Sequence, residues 1–129
     1  DVLTSRGLGD VYKRQIPLMR AQNYGRIINT ISRNAEYDAV GTSAYAAAKA
    51  AMWAASRVAA AELRGTNILI NMLIPGPTRT AIWGKDMAHF QEPSATYPTA
   101  KMLASFANDG PSGKVYWNKA EYPMFREGN

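Results

Sequence analysis

Residues 43–76 read SAYAAAKAAMWAASRVAAAELRGTNILINMLIPG, a long helix-forming run followed directly by a short apolar one. Ser43 is placed as an N-cap. From it alanine and long side chains continue without Gly or Pro to residue 64, and Gly65 stands where a C′ residue belongs. This predicts a helix over 43–64. Residues 68–74 are almost continuously apolar and are closed by Pro75 and Gly76, too short a run for a second long helix and of the kind found in a buried strand. Upstream, RIINTIS (26–32) is short, β-branched and mostly apolar, again the composition of a strand buried on both faces, and RNAEYDAVGT (33–42) reads as a loop. Strand, helix, strand is the βαβ unit, which implies parallel pairing with a right-handed crossover.

Further out, residues 16–23 read as the end of an amphipathic helix terminated at Tyr24 and Gly25. Residues 77–96 are irregular. Pro98 is placed as the first residue of a helix reaching about residue 108, DGPSG is a turn, and KVYW (114–117) is a last strand. With no internal repeat and no linker, the expected fold is α/β: residues 16–129 as one half of a doubly wound parallel sheet.

The 129 residues are 47% hydrophobic and 19% charged, enough to bury a core. There is no cysteine, hence no disulfide and no thiolate metal site. No apolar run approaches a membrane span, because Lys49, Arg57 and Glu62 interrupt the alanine-rich segment. A soluble, cytoplasmic protein is expected. The formal charge of +5 comes from scattered cations rather than a stripe interleaved with aromatics, so it is read as a solvated surface and not as a nucleic-acid footprint.

DVLTSRGLGDVYKRQ (1–15) shows neither helical nor strand periodicity and joins abruptly to IPLMRAQ. Its last six residues back-translate to GAT GTG TAT AAG AGA CAG, a string resembling a transposon-end adapter. Residues 1–15 are therefore expected to be non-native, on a truncated reading frame.

In open parallel sheets ligands bind beyond the carboxyl ends of the strands. Ser32 ends one predicted strand, Tyr45 lies in the first turn of the next helix, and PGPTRT (75–80) ends the following strand. Lys49, four residues after Tyr45, shares its helix face. A phenol with a pKa near 10 is a poor base at neutral pH, but a nearby ammonium favours its phenolate, so Tyr45 is a candidate general acid/base and Ser32 a hydrogen-bond partner for the reacting oxygen. The same spacing recurs at Tyr97 and Lys101. That pair follows no strand, Tyr97 stands at or before its cap, and Gly84 holds the place thirteen residues back, so the repeat is read as structural.

GRIINTIS, SAYAAAKAA with Ser32 thirteen positions before Tyr45, and AAELRGTNILINMLIPGPTRT together resemble the short-chain dehydrogenase/reductase family in its compact, Rossmann-like branch, over residues 16–125. The ending DGPSGKVYWNKAEYPM is similar to carbonyl-reductase-like members. The resemblance implies NAD or NADP as cofactor and hydride transfer with a small alcohol or carbonyl substrate. It implies Tyr45 as acid/base, Lys49 as the residue that lowers its pKa and bonds the nicotinamide ribose, and Ser32 as substrate-orienting. In the element of Pro75 and Gly76, it implies that the Thr78 backbone contacts the carboxamide and that the Thr80 hydroxyl lies near carboxamide or phosphate. No metal is implied. Two departures from the family pattern stand out: Ile31 where relatives commonly carry a second serine, and no glycine-rich phosphate loop, ribose selector or catalytic asparagine within residues 16–129. The chain itself is accordingly expected to bind cofactor weakly and to be inactive.

The resemblance also implies that the parent protein forms a homodimer or homotetramer through the 43–64 helix. His89 is read as an exposed loop residue, and Trp83, Met87 and Phe90 either line an apolar pocket or anchor their loop. The alternative to an enzyme is a partner-binding module using a sheet edge and the alanine-rich helix.

Overall fold

The computed structural model describes residues 11–81 and 88–125. Its frame is a four-stranded sheet in the order β1-β2-β3-β4: β1 Gly25–Thr30, β2 Ile68–Leu73, β3 Val115–Trp117 and β4 Ala120–Glu121. β1 and β2 run parallel from the pair of Gly25 and Ile68 to that of Thr30 and Leu73, and β2 pairs with β3 in parallel through Met72 and Val115. The predicted βαβ unit is present, with α2 (Ser43–Glu62) as its crossover.

Alternation along β2 sorts the core into two layers. Ile68 and Ile70 pack with Ile27 of β1 against Ala59, Ala60 and Leu63 at the end of α2, with Ile16 and Met19 of α1 (Ile16–Ala21) alongside. Leu73 packs on the opposite face with Tyr116 and with Leu103 of α3 (Tyr97–Ala104). Helices cover both faces, which is the layering of a doubly wound, Rossmann-like sheet. Every residue of β2 is buried, including Asn71, whose amide donates to the Pro111 carbonyl at 2.7 Å and whose carbonyl accepts from the Lys114 amide at 3.1 Å. A polar side chain is tolerated there because it holds the connection into β3.

Several boundaries differ from expectation. β1 is buried on alternate residues rather than on both faces, because it is an edge strand of this sheet and the helical layers reach it incompletely. α1 ends at Ala21, and Asn23 (φ +51°), not Gly25, takes the left-handed position after it, closing the turn with the Tyr24 amide on Met19. Gly25 instead opens β1, where an added Cβ would lie 2.5 Å from the Met19 sulfur. α2 stops at Glu62, and Thr42 rather than Ser43 is its cap residue, without a side-chain cap bond. α3 stops at Ala104, short of residue 108. β4 was not anticipated. It pairs antiparallel to β3 across Asn118 and Lys119, both at positive φ, and the Lys119 amide is held by the Thr99 hydroxyl at 3.0 Å.

Residues 11–15, read as lacking periodicity, form a π-helical turn continuous with α1. Tyr12 packs on the first core layer, and its hydroxyl accepts from the Asn29 amide at 3.2 Å. Among the described residues, no helix is long and apolar enough to cross a membrane.

Candidate active site

The carboxyl ends of β1 and β2 open onto a cleft of about 390 Å³. Ser32 sits just past β1 in extended backbone, and its hydroxyl oxygen accepts from the Asn34 amide at 3.2 Å, capping the short 3-10 turn Arg33–Ala35. That bond uses a lone pair of the oxygen and leaves the hydroxyl proton available to a ligand. Tyr45 reaches the same cleft from the first turn of α2 and is half exposed. Pro75 and Gly76 also line the cleft, with Gly76 at φ +80° and an added Cβ lying 3.3 Å from the Trp117 indole nitrogen. Ser32, Tyr45, Pro75 and Gly76 are thus brought together as the sequence predicts.

Lys49 behaves differently from the expectation that it points into the crevice. Its ammonium donates to the Thr30 carbonyl at 2.9 Å and lies 5.7 Å from the centre of the Tyr45 ring. It ties α2 to the end of β1 and sets a positive charge beside the phenol without lining the cleft wall.

Thr78 and Thr80 do not line the cleft either. The Thr78 hydroxyl donates to the Gly76 carbonyl at 3.0 Å and accepts from the Gln91 amide at 3.3 Å, so it is committed to shaping its own loop. Thr80 is exposed. The loop is closed by Gln91, which sequence reasoning missed. Its side chain donates to the Pro75 carbonyl, and its backbone bonds Pro77 and Arg79 at 3.0 and 2.8 Å. No local signal marks Gln91, because its partners lie more than ten residues away.

Phe90 lines the cleft, His89 is exposed, and Trp83 and Met87 lie outside the described residues. Tyr97 is exposed at the start of α3, away from this cleft. A second residue unanticipated from sequence is Arg33, whose side chain joins the cleft wall beside Ser32.

A hydroxyl free to donate, an accessible phenol and an ammonium anchored beside it can hold a polar oxygen and move one proton to or from it.

A family model described as short chain dehydrogenase matches residues 5–90. The chain is 29% identical over 127 residues to fluoren-9-ol dehydrogenase of Terrabacter sp. (strain DBF63), across 81% of this chain and 36% of that protein. It is 35% identical over 102 residues to oxidoreductase BOA17 of Botryotinia fuckeliana (strain B05.10), across 78% of this chain and 36% of that protein. Among solved structures, acetoin dehydrogenase from Enterobacter cloacae superposes with a TM-score of 0.62 at 28% identity, over 76% of this chain and 43% of that one. The chain therefore spans about a third of the length of these curated relatives and less than half of that solved chain.

Proposed function

Because this chain belongs to the short-chain dehydrogenase family, we propose that its cleft is the reacting end of an NAD- or NADP-dependent oxidoreductase site that interconverts an alcohol and a carbonyl. The observation that carries this reading is the arrangement of Ser32 and Tyr45 in one cleft with Lys49 fixed beside the phenol.

The residues present fit the nicotinamide end of such a cofactor. The lining offered by Ile74, Pro75 and Gly76 is apolar and backbone-rich, suited to a flat ring, and Ser32 and Tyr45 line the same cleft. When bound, the nicotinamide takes up or gives the hydride. Ser32 donates a hydrogen bond to the substrate oxygen and holds its carbon toward that lining. In the oxidising direction Tyr45, as phenolate, takes the hydroxyl proton while the carbon gives up hydride and its C–O bond becomes C=O. In reduction the phenol returns that proton to the oxygen. Lys49 keeps its charge beside the Tyr45 ring and, by holding Thr30, fixes the distance between α2 and the strand that presents Ser32. The 129 residues contain no GxxxGxG loop after a strand, so the polypeptide alone is expected to hold cofactor weakly and to turn over little substrate. In the whole protein, α2 pairs subunits: Ala47, Ala48 and Ala51 are exposed on it, and small side chains permit close helix approach.

The deciding experiment is Tyr45→Phe in the whole protein, assayed with both nicotinamide cofactors across a panel of alcohols and ketones. A loss of about 10²–10⁴-fold in kcat with the fold intact supports the reading, and unchanged turnover overturns it.

A further inference from the structure

Among the described residues, Arg33 is the single formally charged side chain on the cleft wall, next in sequence to Ser32 and in the same cavity as Tyr45. Its guanidinium is held by aromatic rings. The central carbon lies 4.6 Å from the centre of Tyr37, 4.6 Å from that of Trp117 and 5.6 Å from that of Tyr122. Nε donates to the Tyr122 hydroxyl at 3.2 Å. Such stacking pre-organises the planar cation while neutralising none of its charge.

The nearby carboxylate is already engaged. One oxygen of Glu36 accepts from the Tyr122 hydroxyl and the other from the Phe125 amide at 2.9 Å. Among the described residues Arg33 makes no ion pair, and its two terminal nitrogens have no hydrogen-bond partner. A guanidinium with both of those groups open is a bidentate receptor for a carboxylate.

We propose that Arg33 is a specificity-determining residue that binds the carboxylate of a small oxo-acid or hydroxy-acid substrate, whose carbonyl or hydroxyl is held by Ser32 and Tyr45. This rests on the oxidoreductase reading for the reacting oxygen, whereas the anion site stands on the Arg33 geometry alone. The walls on either side, Tyr37 and Trp117, suit a short carbon chain between the two polar ends.

The test uses the full 129-residue chain, titrated with pyruvate, acetoacetate and levulinate, each against its methyl ester, and with inorganic phosphate. Binding is followed by the Arg33 Nε–H signal in 15N NMR and by tryptophan fluorescence. The expected result is that at least one acid binds about tenfold to a hundredfold more tightly than its ester and shifts the Arg33 signal. Arg33→Gln removes that preference and Arg33→Lys retains part of it. Acids binding no better than esters, phosphate binding in preference to every acid, or a preference unchanged in Arg33→Gln would each overturn the inference. Should Arg33→Gln not fold, an undiminished preference in Arg33→Lys, which keeps the charge but not the planar fork, overturns the bidentate geometry. No acid preference together with loss of turnover in the whole Tyr45→Phe protein defeats only this inference; an Arg33-dependent preference with undiminished Tyr45→Phe turnover defeats only the oxidoreductase reading.

Discussion

Lys49 donates to the Thr30 carbonyl at 2.9 Å, so a residue from the second turn of the crossover helix caps the end of the strand that delivers Ser32. The bond couples the position of the helix to that of the strand end. Lys49→Met is expected to lower the stability of the chain by about 0.5–1.5 kcal/mol in urea unfolding. If Tyr45 handles the proton as proposed, the same substitution in the whole protein should depress kcat more than it raises KM, because it displaces that group rather than a substrate contact.

Asn71 offers a sharper stability test. It is 2% exposed in the middle of β2 and satisfies both the Pro111 carbonyl and the Lys114 amide. Asn71→Leu fills the space but removes both hydrogen bonds, at a cost of about 0.5–1.5 kcal/mol for each. Chemical denaturation followed by circular dichroism measures the sum, and a neutral substitution would refute the role assigned to this side chain.

Leu103 joins α3 to the second core layer at 1% exposure. Leu103→Ala is expected to cost about 2–5 kcal/mol. Leu18→Ala on α1, where the side chain is 69% exposed, should stay within about 0.5 kcal/mol of the parent. Equal effects at the two positions would show that α3 does not seal the sheet.

Alkaline pH probes the cluster around Arg33. Burial and the hydrogen bond to Glu36 raise the Tyr122 phenol above its ordinary value near 10, with the bond from Arg33 partly opposing them. The folded state then holds that proton more tightly than the unfolded chain. Its contribution is complete below about pH 10 and is lost as pH rises through the folded value. The urea midpoint should fall as pH rises above about 10, and less steeply in Tyr122→Phe. Some slope should remain, because burial and Glu121 raise Tyr116 as well.

Much of the frame was legible because its information is local. Two apolar runs separated by a glycine-free, alanine-rich stretch leave few alternatives to βαβ, and the ends of those runs bring Ser32, Tyr45, Pro75 and Gly76 to one crevice. What escaped depends on partners distant in sequence. Asn118 and Lys119 carry no glycine to announce a tight hairpin, and the left-handed backbone at Lys119 is held by Thr99 twenty residues away. Arg33 reads as one more scattered cation until folding brings Tyr37, Trp117 and Tyr122 around it. The resemblance spoke only for the Thr78 backbone, and the hold of Gln91 on the Thr78 hydroxyl, thirteen residues away, has no local signal.

Among the described residues, Gly25–Thr30 has a strand neighbour on one flank, and its single cation does nothing to guard the other. Arg26 folds back onto the Phe106 and Asn67 carbonyls at 2.9–3.0 Å instead of projecting along the bare rim. Amides and carbonyls left there are a template on which another copy can add, the first step toward cross-β seeding.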